Sequence, residues 1–539
     1  MYNRKNFLKL SGLAGFGLLA SYFGVKRILS KKTYPFTGKI SGANFKAGHL
    51  LRDKITEVPN EILNIDTIIV GGGISGLSAG WYFLKNGFQD FVILEMDNHV
   101  GGNSSSGENS TSKYPYGAHY VPLPGTDAKY VRELFEDLKI ITGYTNGLPV
   151  YDEYYLCADP NERLFFQGLW QEGLIPTRGI QPEDKEQYKE FLSFIESLKS
   201  KKGKDGKSLF TIPIEFSSQD SDFKELDKIS MFDFMNSKGW TSKYLHWYVE
   251  YSCRDDYGVS HSRVSAWAGL HYFASRAGKA ANADSQTVLT WSNGNGFLVN
   301  KLREITEKQI KTNSLSYNIE PVNKNEFLVD VINTETKTTT RYKAKNVIYA
   351  GPRYTAKKVI KDYKENSADT LDFSPWLVAN ITLRTKPSGN GVPLSWDNVS
   401  YYSRSLGYIV ANHQDLKVNR KEAVITYYLP LDEGNPKTER LNAYRKSYED
   451  WVELILPDLE KMHRGITKEI RDMDIWVWGH GMVSPGINYL WSENRQAMLS
   501  DFRGIEFAHS DMSGISIFEE AQYRGCEAAK KILLTDYHR

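Results

Sequence analysis

Gly71, Gly73 and Gly76 are the residues of this 539-residue chain whose spacing most directly implies chemistry. They follow an apolar run, Thr67-Ile-Ile-Val70, and open a stretch in which Leu77, Phe83 and Leu84 share one helical face. A strand turning through Gly-x-Gly-x-x-Gly into a helix points free backbone N–H groups and the positive helix end at one spot, a ready site for a diphosphate. Gly71 permits the turn, Gly73 admits the pyrophosphate, Gly76 lets helix and strand approach, and Ser75 stands beside them in the first helical turn. The next predicted strand, 90–94, ends at Glu95, about 20 residues past the glycines, where a carboxylate accepts hydrogen bonds from a ribose. Together these residues predict a bound dinucleotide.

The elements that must hold this loop are spread along the chain. Residues 326–333 and 337–343 are expected to form a hairpin feeding a buried strand, Asn346-Val-Ile-Tyr-Ala-Gly-Pro352, that returns to the dinucleotide sheet. Residues 504–508 are a further buried strand, and 518–533 a helix with Ala521, Ala528, Ala529 and Ile532 for packing. Residues 183–199 carry Tyr188, Phe191, Leu192, Ile195 and Leu198 at helical spacing, a core-facing helix. The run Ile40-Ser-Gly-Ala-Asn-Phe-Lys-Ala-Gly-His-Leu-Leu-Arg52 matches no familiar element.

Composition excludes several classes. Basic side chains number 67 against 65 acidic ones, a net charge of +2 that leaves no footprint for nucleic acid. Three distant cysteines, Cys157, Cys253 and Cys526, form no disulfide framework, and neither they nor the eleven histidines have metal-ligand spacing. Aromatic residues, 13% of the chain, suit a cavity for a flat or apolar ligand. At the N-terminus, Arg4-Lys5-Asn6-Phe7-Leu8-Lys9 followed by an apolar run over 10–25 resembles a twin-arginine export signal, with Lys5 in place of the second arginine. The expected location is therefore the periplasm, either free or anchored to the membrane by this segment.

Three separated pieces resemble the flavin-dependent amine oxidase superfamily, which is related to protoporphyrinogen oxidases and carotenoid desaturases. They are the stretch 71–95, the glycine pair in Val100-Gly-Gly-Asn-Ser-Ser105, and Phe507-Ala-His-Ser-Asp-Met512 with the helix after it. The resemblance implies FAD, with Gly101, Gly102 and Asn103 near the diphosphate and Ser510 and Asp511 in the C-terminal flavin motif, framed by His509. Cys526 lies on the following helix where a packed residue belongs, which implies non-covalent flavin. Asn103 replaces a frequent arginine, and Asn380 stands where oxidases place a lysine that holds water near flavin N5.

The same resemblance places His119 and Tyr120 beside the isoalloxazine, and His480 with Trp478 just before the C-terminal motif. Each has a second reading as a structural residue, and Asn380 either positions a water or satisfies a buried backbone group. The expected fold class is α/β: a discontinuous Rossmann-like FAD-binding domain with an α+β substrate domain. Its layout is an export signal or anchor over 1–30, flavin segments 60–125, 290–352 and 470–539, and substrate segments 126–289 and 353–469. The expected activity is hydride transfer from a substrate C–H, next to an amine nitrogen, to flavin N5, with oxygen or another electron acceptor. A desaturase or isomerase of an apolar substrate, and a flavin protein that relays electrons, stay open.

Overall fold

The chain is described by a computed structural model over residues 34–52, 55, 57, 59–364, 370–416 and 420–537. The export-type segment 1–30 lies outside the described residues. No helix among the described residues is long and apolar enough to cross a membrane.

Two large sheets organise the molecule. The first has seven strands: Glu61–Val70 lies in parallel between Phe91–Leu94 and Thr339–Tyr349, and Ile505–Phe507 joins Thr339–Tyr349 from the far end of the chain, also in parallel. Ile68 and Ile69 are completely buried, as a parallel strand covered on both faces requires. The expected hairpin and returning strand are one continuous element. Thr339–Tyr349 pairs in parallel with Glu61–Val70 along nearly its whole length, while its other edge takes Glu326–Asn333 in antiparallel register over the first half and Ile505–Phe507 in parallel over the second. No turn residue interrupts 343–346, and Lys343 and Lys345 alternate with the buried Tyr342 and Ala344, so the ladder runs straight through.

Helix Ile74–Lys85 follows the glycine turn and is covered by helix Phe518–Tyr537. Contact between them is intimate because glycine permits it: a Cβ on Gly525 would lie 2.0 Å from the Ser75 carbonyl oxygen. Ser75 Oγ donates to the Ala521 carbonyl at 2.8 Å, joining positions 446 residues apart.

The second sheet has eight strands, with Phe373–Leu383 and Ile470–Val483 at its heart. All eleven residues of Phe373–Leu383 are buried. Leu377, Ala379 and Ile381 face helix Tyr448–Met462, whereas Trp376 and Val378 face Trp476, Trp478 and Tyr428. The third flavin segment, expected from residue 470, therefore begins in this second sheet: the backbone from Ile470 to Val483 completes the ladder of Phe373–Leu383 and returns to the flavin sheet only at Ile505. Helices Pro182–Lys199, Lys243–Tyr257 and Ala266–Ala274 pack on one another around Phe191, Val249 and Trp267, and Lys243–Tyr257 sets Tyr251 against the aromatic face of this sheet.

Candidate active site

At the carboxyl ends of the parallel strands, Gly71 adopts φ +111° and a Cβ there would lie 3.0 Å from the Ala350 carbonyl. A Cβ on Gly76 would lie 1.9 Å from the Gly71 oxygen, so only glycine closes this turn onto the helix. Gly73, by contrast, faces open space, and the helix it begins has no side-chain cap. An uncapped helix start opening onto a glycine cradle fits the diphosphate of FAD. Gly101 donates its N–H to the Gly72 carbonyl at 2.9 Å, and Gly102 approaches Gly73 closely, so the two glycine motifs form one surface.

Glu95 takes hydrogen bonds from the Gly72 and Asp97 N–H groups, both at 2.8 Å. Burial nevertheless pushes its carboxyl up to about 7. Asn103 turns away from this cradle: its amide nitrogen donates to the Gly481 carbonyl and ties the glycine pair to the second sheet. Asp511, buried in the turn Ser510–Met512, accepts the Arg353 N–H at 3.0 Å. The His509 ring nitrogen accepts the Asp511 N–H at 3.2 Å, and the Ser510 carbonyl caps the turn by accepting from Ser513 at 2.9 Å.

The four catalytic candidates do not gather in one place. His480 stacks on Tyr354 with ring centroids 4.7 Å apart and touches Phe373; burial lowers its imidazole to about 4, with Arg440 adding to the effect and Asp511 opposing it. Asn380 is buried and doubly engaged, donating to the Pro115 carbonyl at 3.2 Å and accepting from Thr426 Oγ1 at 2.8 Å. It fixes the strand Lys113–Pro115 against the second sheet. Trp478 donates to the Tyr116 carbonyl at 2.6 Å, and so steadies the same approach to residue 117.

His119 and Tyr120, in contrast, border a shared space. The His119 ring stacks on Tyr428 at 4.5 Å and lies 5.6 Å from Trp396. Tyr428 in turn donates to the Gly117 carbonyl at 3.0 Å. Burial lowers His119 to about 4, so it is neutral at physiological pH. Tyr120 donates to Asp255 Oδ2 at 3.2 Å.

Behind this aromatic group stands a set of carboxyl groups that the sequence reading did not single out. Asp255 is pushed up to about 7 by burial and then by its neighbour Asp256. Asp256 is ion-paired with Arg276 at 2.6 Å. Asp397 and Glu162 are register partners on adjacent parallel strands, and both are raised, chiefly by burial. Like charges directly opposite one another destabilise a sheet, so this pairing runs against folding. Tyr251 donates to Asp397 at 3.1 Å. Asp255, Asp397 and Glu162 make no ion pair among the described residues; Arg276 is paired with Asp256 and also acts on Asp255, and no cation acts on Asp397 or Glu162 in the same way.

Tyr120, Tyr248, Tyr272, Asp255 and Asp397 keep accessible surface. Yet burial disfavours the charged form of every one of them. Side chains with both properties are shielded from bulk water without being fully packed, which fits an enclosed space between them. A pocket of about 250 Å³ is lined by Trp247, Tyr251, Arg254 and Arg404 among others. The only sequence signal for this set is the acidic doublet Asp255-Asp256 at the buried end of the tyrosine-rich helix Lys243–Tyr257. No group of three His, Cys, Asp or Glu among the described residues is arranged to hold a metal ion.

A family model for flavin containing amine oxidoreductases matches residues 74–533. The chain belongs to that family. The cofactor is accordingly FAD, and the α/β class with a Rossmann-like FAD-binding unit stands as expected. Cys526 is buried with its sulfur 3.8 Å from the Ser78 carbonyl, a packing position consistent with non-covalent flavin.

A curated family relative named Probable flavin-containing monoamine oxidase A, from Dictyostelium discoideum, is 29% identical over 104 residues, 19% of this chain and 21% of its own length. The match thus spans about a fifth of that relative. Among solved structures, a triple mutant of putrescine oxidase superposes with a TM-score of 0.65 at 14% identity, covering 88% of this chain and 100% of the other. A fatty acid isomerase from P. acnes that produces CLA gives 0.60 at 16% identity, with coverages of 87% and 98%. At these identities the likeness is one of fold.

Proposed function

We propose that this flavoprotein oxidises a cationic amine, and that its substrate sits in the cavity bounded by His119, Tyr120, Trp396 and Tyr428 with Asp255 behind. The observation that carries the proposal is the excess of carboxyl groups around that cavity. A buried acid without a counter-ion is unfavourable until a cation arrives, so a protonated amine gains both a charge partner and aromatic faces.

The glycine cradle, Glu95 and Asp511 hold the FAD, which when bound supplies the two-electron acceptor for a hydride from the carbon next to nitrogen. Asp255 receives the ammonium proton, which frees the nitrogen lone pair to support loss of that hydride. Its carboxyl near neutrality suits the task, and Tyr120 fixes the oxygen that Asp255 presents. The neutral ring of His119 and the faces of Trp396 and Tyr428 exclude water and orient the reacting carbon. Asn380 and Trp478 act as positioning residues for the segment carrying Gly117 and His119. The oxidised product is an imine, which water converts to a carbonyl compound and ammonia or a shorter amine.

Anaerobic titration with primary, secondary and polyamines tests this: an active amine bleaches the oxidised flavin band. A panel that leaves the spectrum unchanged removes the amine reading. Asn380, engaged with protein groups where oxidases carry lysine, favours a second reading, isomerisation or desaturation of an apolar substrate. Product analysis after incubation with lipid extracts decides between the two. The segment 1–30 supports an exported enzyme, tested by fractionation of cells producing the full chain.

A further inference from the structure

Residues 40–52, which match no familiar element in the sequence, have a definite place in the fold. Ile40–Gly42 adds a parallel edge strand to the second sheet, pairing Ile40 with Ile475 and Gly42 with Val477. A Cβ on Gly42 would lie 2.8 Å from the Val477 oxygen, so the contact is drawn to backbone distance. The chain then crosses to the flavin sheet. Asn44 donates its N–H to Asp97 Oδ2 at 3.3 Å and with its own side chain caps the turn Phe45–Gly48 through the Ala47 N–H at 3.1 Å. Gly48 packs on Met96, Phe45 meets the Tyr444 ring at a tilt with centroids 4.8 Å apart, and the turn His49–Arg52 lies against helix Arg353–Val359.

The two anchors on the flavin side bracket the cofactor crevice. Met96 and Asp97 follow strand Phe91–Leu94, and Arg353–Val359 follows strand Thr339–Tyr349; the strand between them, Glu61–Val70, leads into the glycine cradle. Ligands of such sheets bind outside the carboxyl ends of the strands. A segment running from one flanking exit to the other must therefore pass over the place where the dinucleotide lies. Asp97, which the segment grips, donates its own N–H to Glu95, the predicted ribose acid, at 2.8 Å. The span matched by the family begins at residue 74, so this crossing lies outside it.

We infer that residues 40–52 form a strap that completes the FAD site, holding the turn Glu95–Asp97 in place and slowing release of the cofactor. The inference rests on the assignment of FAD to the cradle. It is tested on the holoprotein with Gly42→Val, which forces the edge strand away, and Asn44→Pro, which removes the N–H donor to Asp97 and the cap. FAD release is followed by the rise of flavin fluorescence after dilution, and opening of the strap by new proteolytic cleavage within 40–52. The expected result is release at least tenfold faster in both variants. Cleavage in the strap with release within twofold of wild type overturns the inference while leaving the FAD assignment intact. Should the variants not fold, hydrogen exchange of the wild type decides: amides of 43–52 are expected to exchange more slowly once stripped protein is reloaded with FAD, and unchanged exchange overturns the strap. A wild type that takes up no FAD removes both readings together.

Discussion

Glu95 and Asp255 are both carboxyl groups that burial holds near neutrality, and they meet different partners. On the proposed role of Glu95 as acceptor for ribose hydroxyls, Glu95→Gln is expected to weaken FAD binding by roughly tenfold or more, the range of a hydrogen bond to a charged group. Wild-type FAD affinity should rise with pH through about 7 as the carboxylate forms, and the variant's should not. Titration of stripped protein with FAD at pH 6 and pH 8 measures both. Asp255→Asn is expected to lower the rate of anaerobic flavin reduction by on the order of 100-fold. It should also abolish the rise in that rate with pH through about 7, since the wild-type carboxylate accepts a proton only above that point. Stability supplies an independent readout. A folded-state value raised above an ordinary value near 4 means that folding takes up a proton, so this site's contribution to stability falls as pH rises from about 4 to about 7. The variant should therefore melt higher than wild type at pH 8 and not at pH 5.

At the scale of elements, the flavin site depends on how closely helix Phe518–Tyr537 approaches helix Ile74–Lys85. Gly525→Ala places a methyl group 2.0 Å from the Ser75 oxygen, with backbone rather than a flexible side chain as the obstacle. Overpacking of this kind costs about 1–3 kcal/mol, occasionally more. The expected outcome is a lower melting temperature together with weaker FAD retention, because Asp511 and the glycine cradle are held by the two helices being separated. Differential scanning fluorimetry with and without added FAD measures this. Strands work differently. Phe373–Leu383 is buried along its whole length, and its even positions carry Trp376 toward Trp476 and Trp478 and Asn380 toward Pro115, while odd ones fill the core against helix Tyr448–Met462. Asn380→Ala should release the Pro115 carbonyl and loosen the approach to His119 without removing any titrating group. Its reduction rate should fall while the pH profile keeps its shape.

Across the whole molecule, one cofactor site is drawn from both ends of the chain. Non-covalent flavin predicts that acid precipitation leaves all the yellow colour in the supernatant, and colour retained in the pellet would point to a bond that buried Cys526 cannot make. The FAD cofactor and the strand–glycine turn–helix that opens the flavin sheet were legible because they rest on short contiguous motifs whose backbone geometry is set over a few residues. The hairpin feeding the flavin strand was legible from its apolar runs, though its fusion into one strand was not, since nothing local marks the passage from antiparallel to parallel pairing.

The cavity was hidden for a different reason. Glu162, Asp255, Asp397 and Tyr428 come from four segments; strand register sets Glu162 beside Asp397, and the placement of helix Lys243–Tyr257 turns Asp255 toward Tyr120. Residue types and local spacing by themselves determined that this chain binds FAD in an α/β fold, because backbone N–H groups, helix dipoles and glycine conformations act within a dozen residues. Only the tertiary structure decided which acids face an enclosed space, that His480 and His119 stand apart, and that residues 40–52 cross the cofactor crevice. Burial and like-charge proximity are sums over neighbours brought from hundreds of residues away, and no local pattern carries that sum.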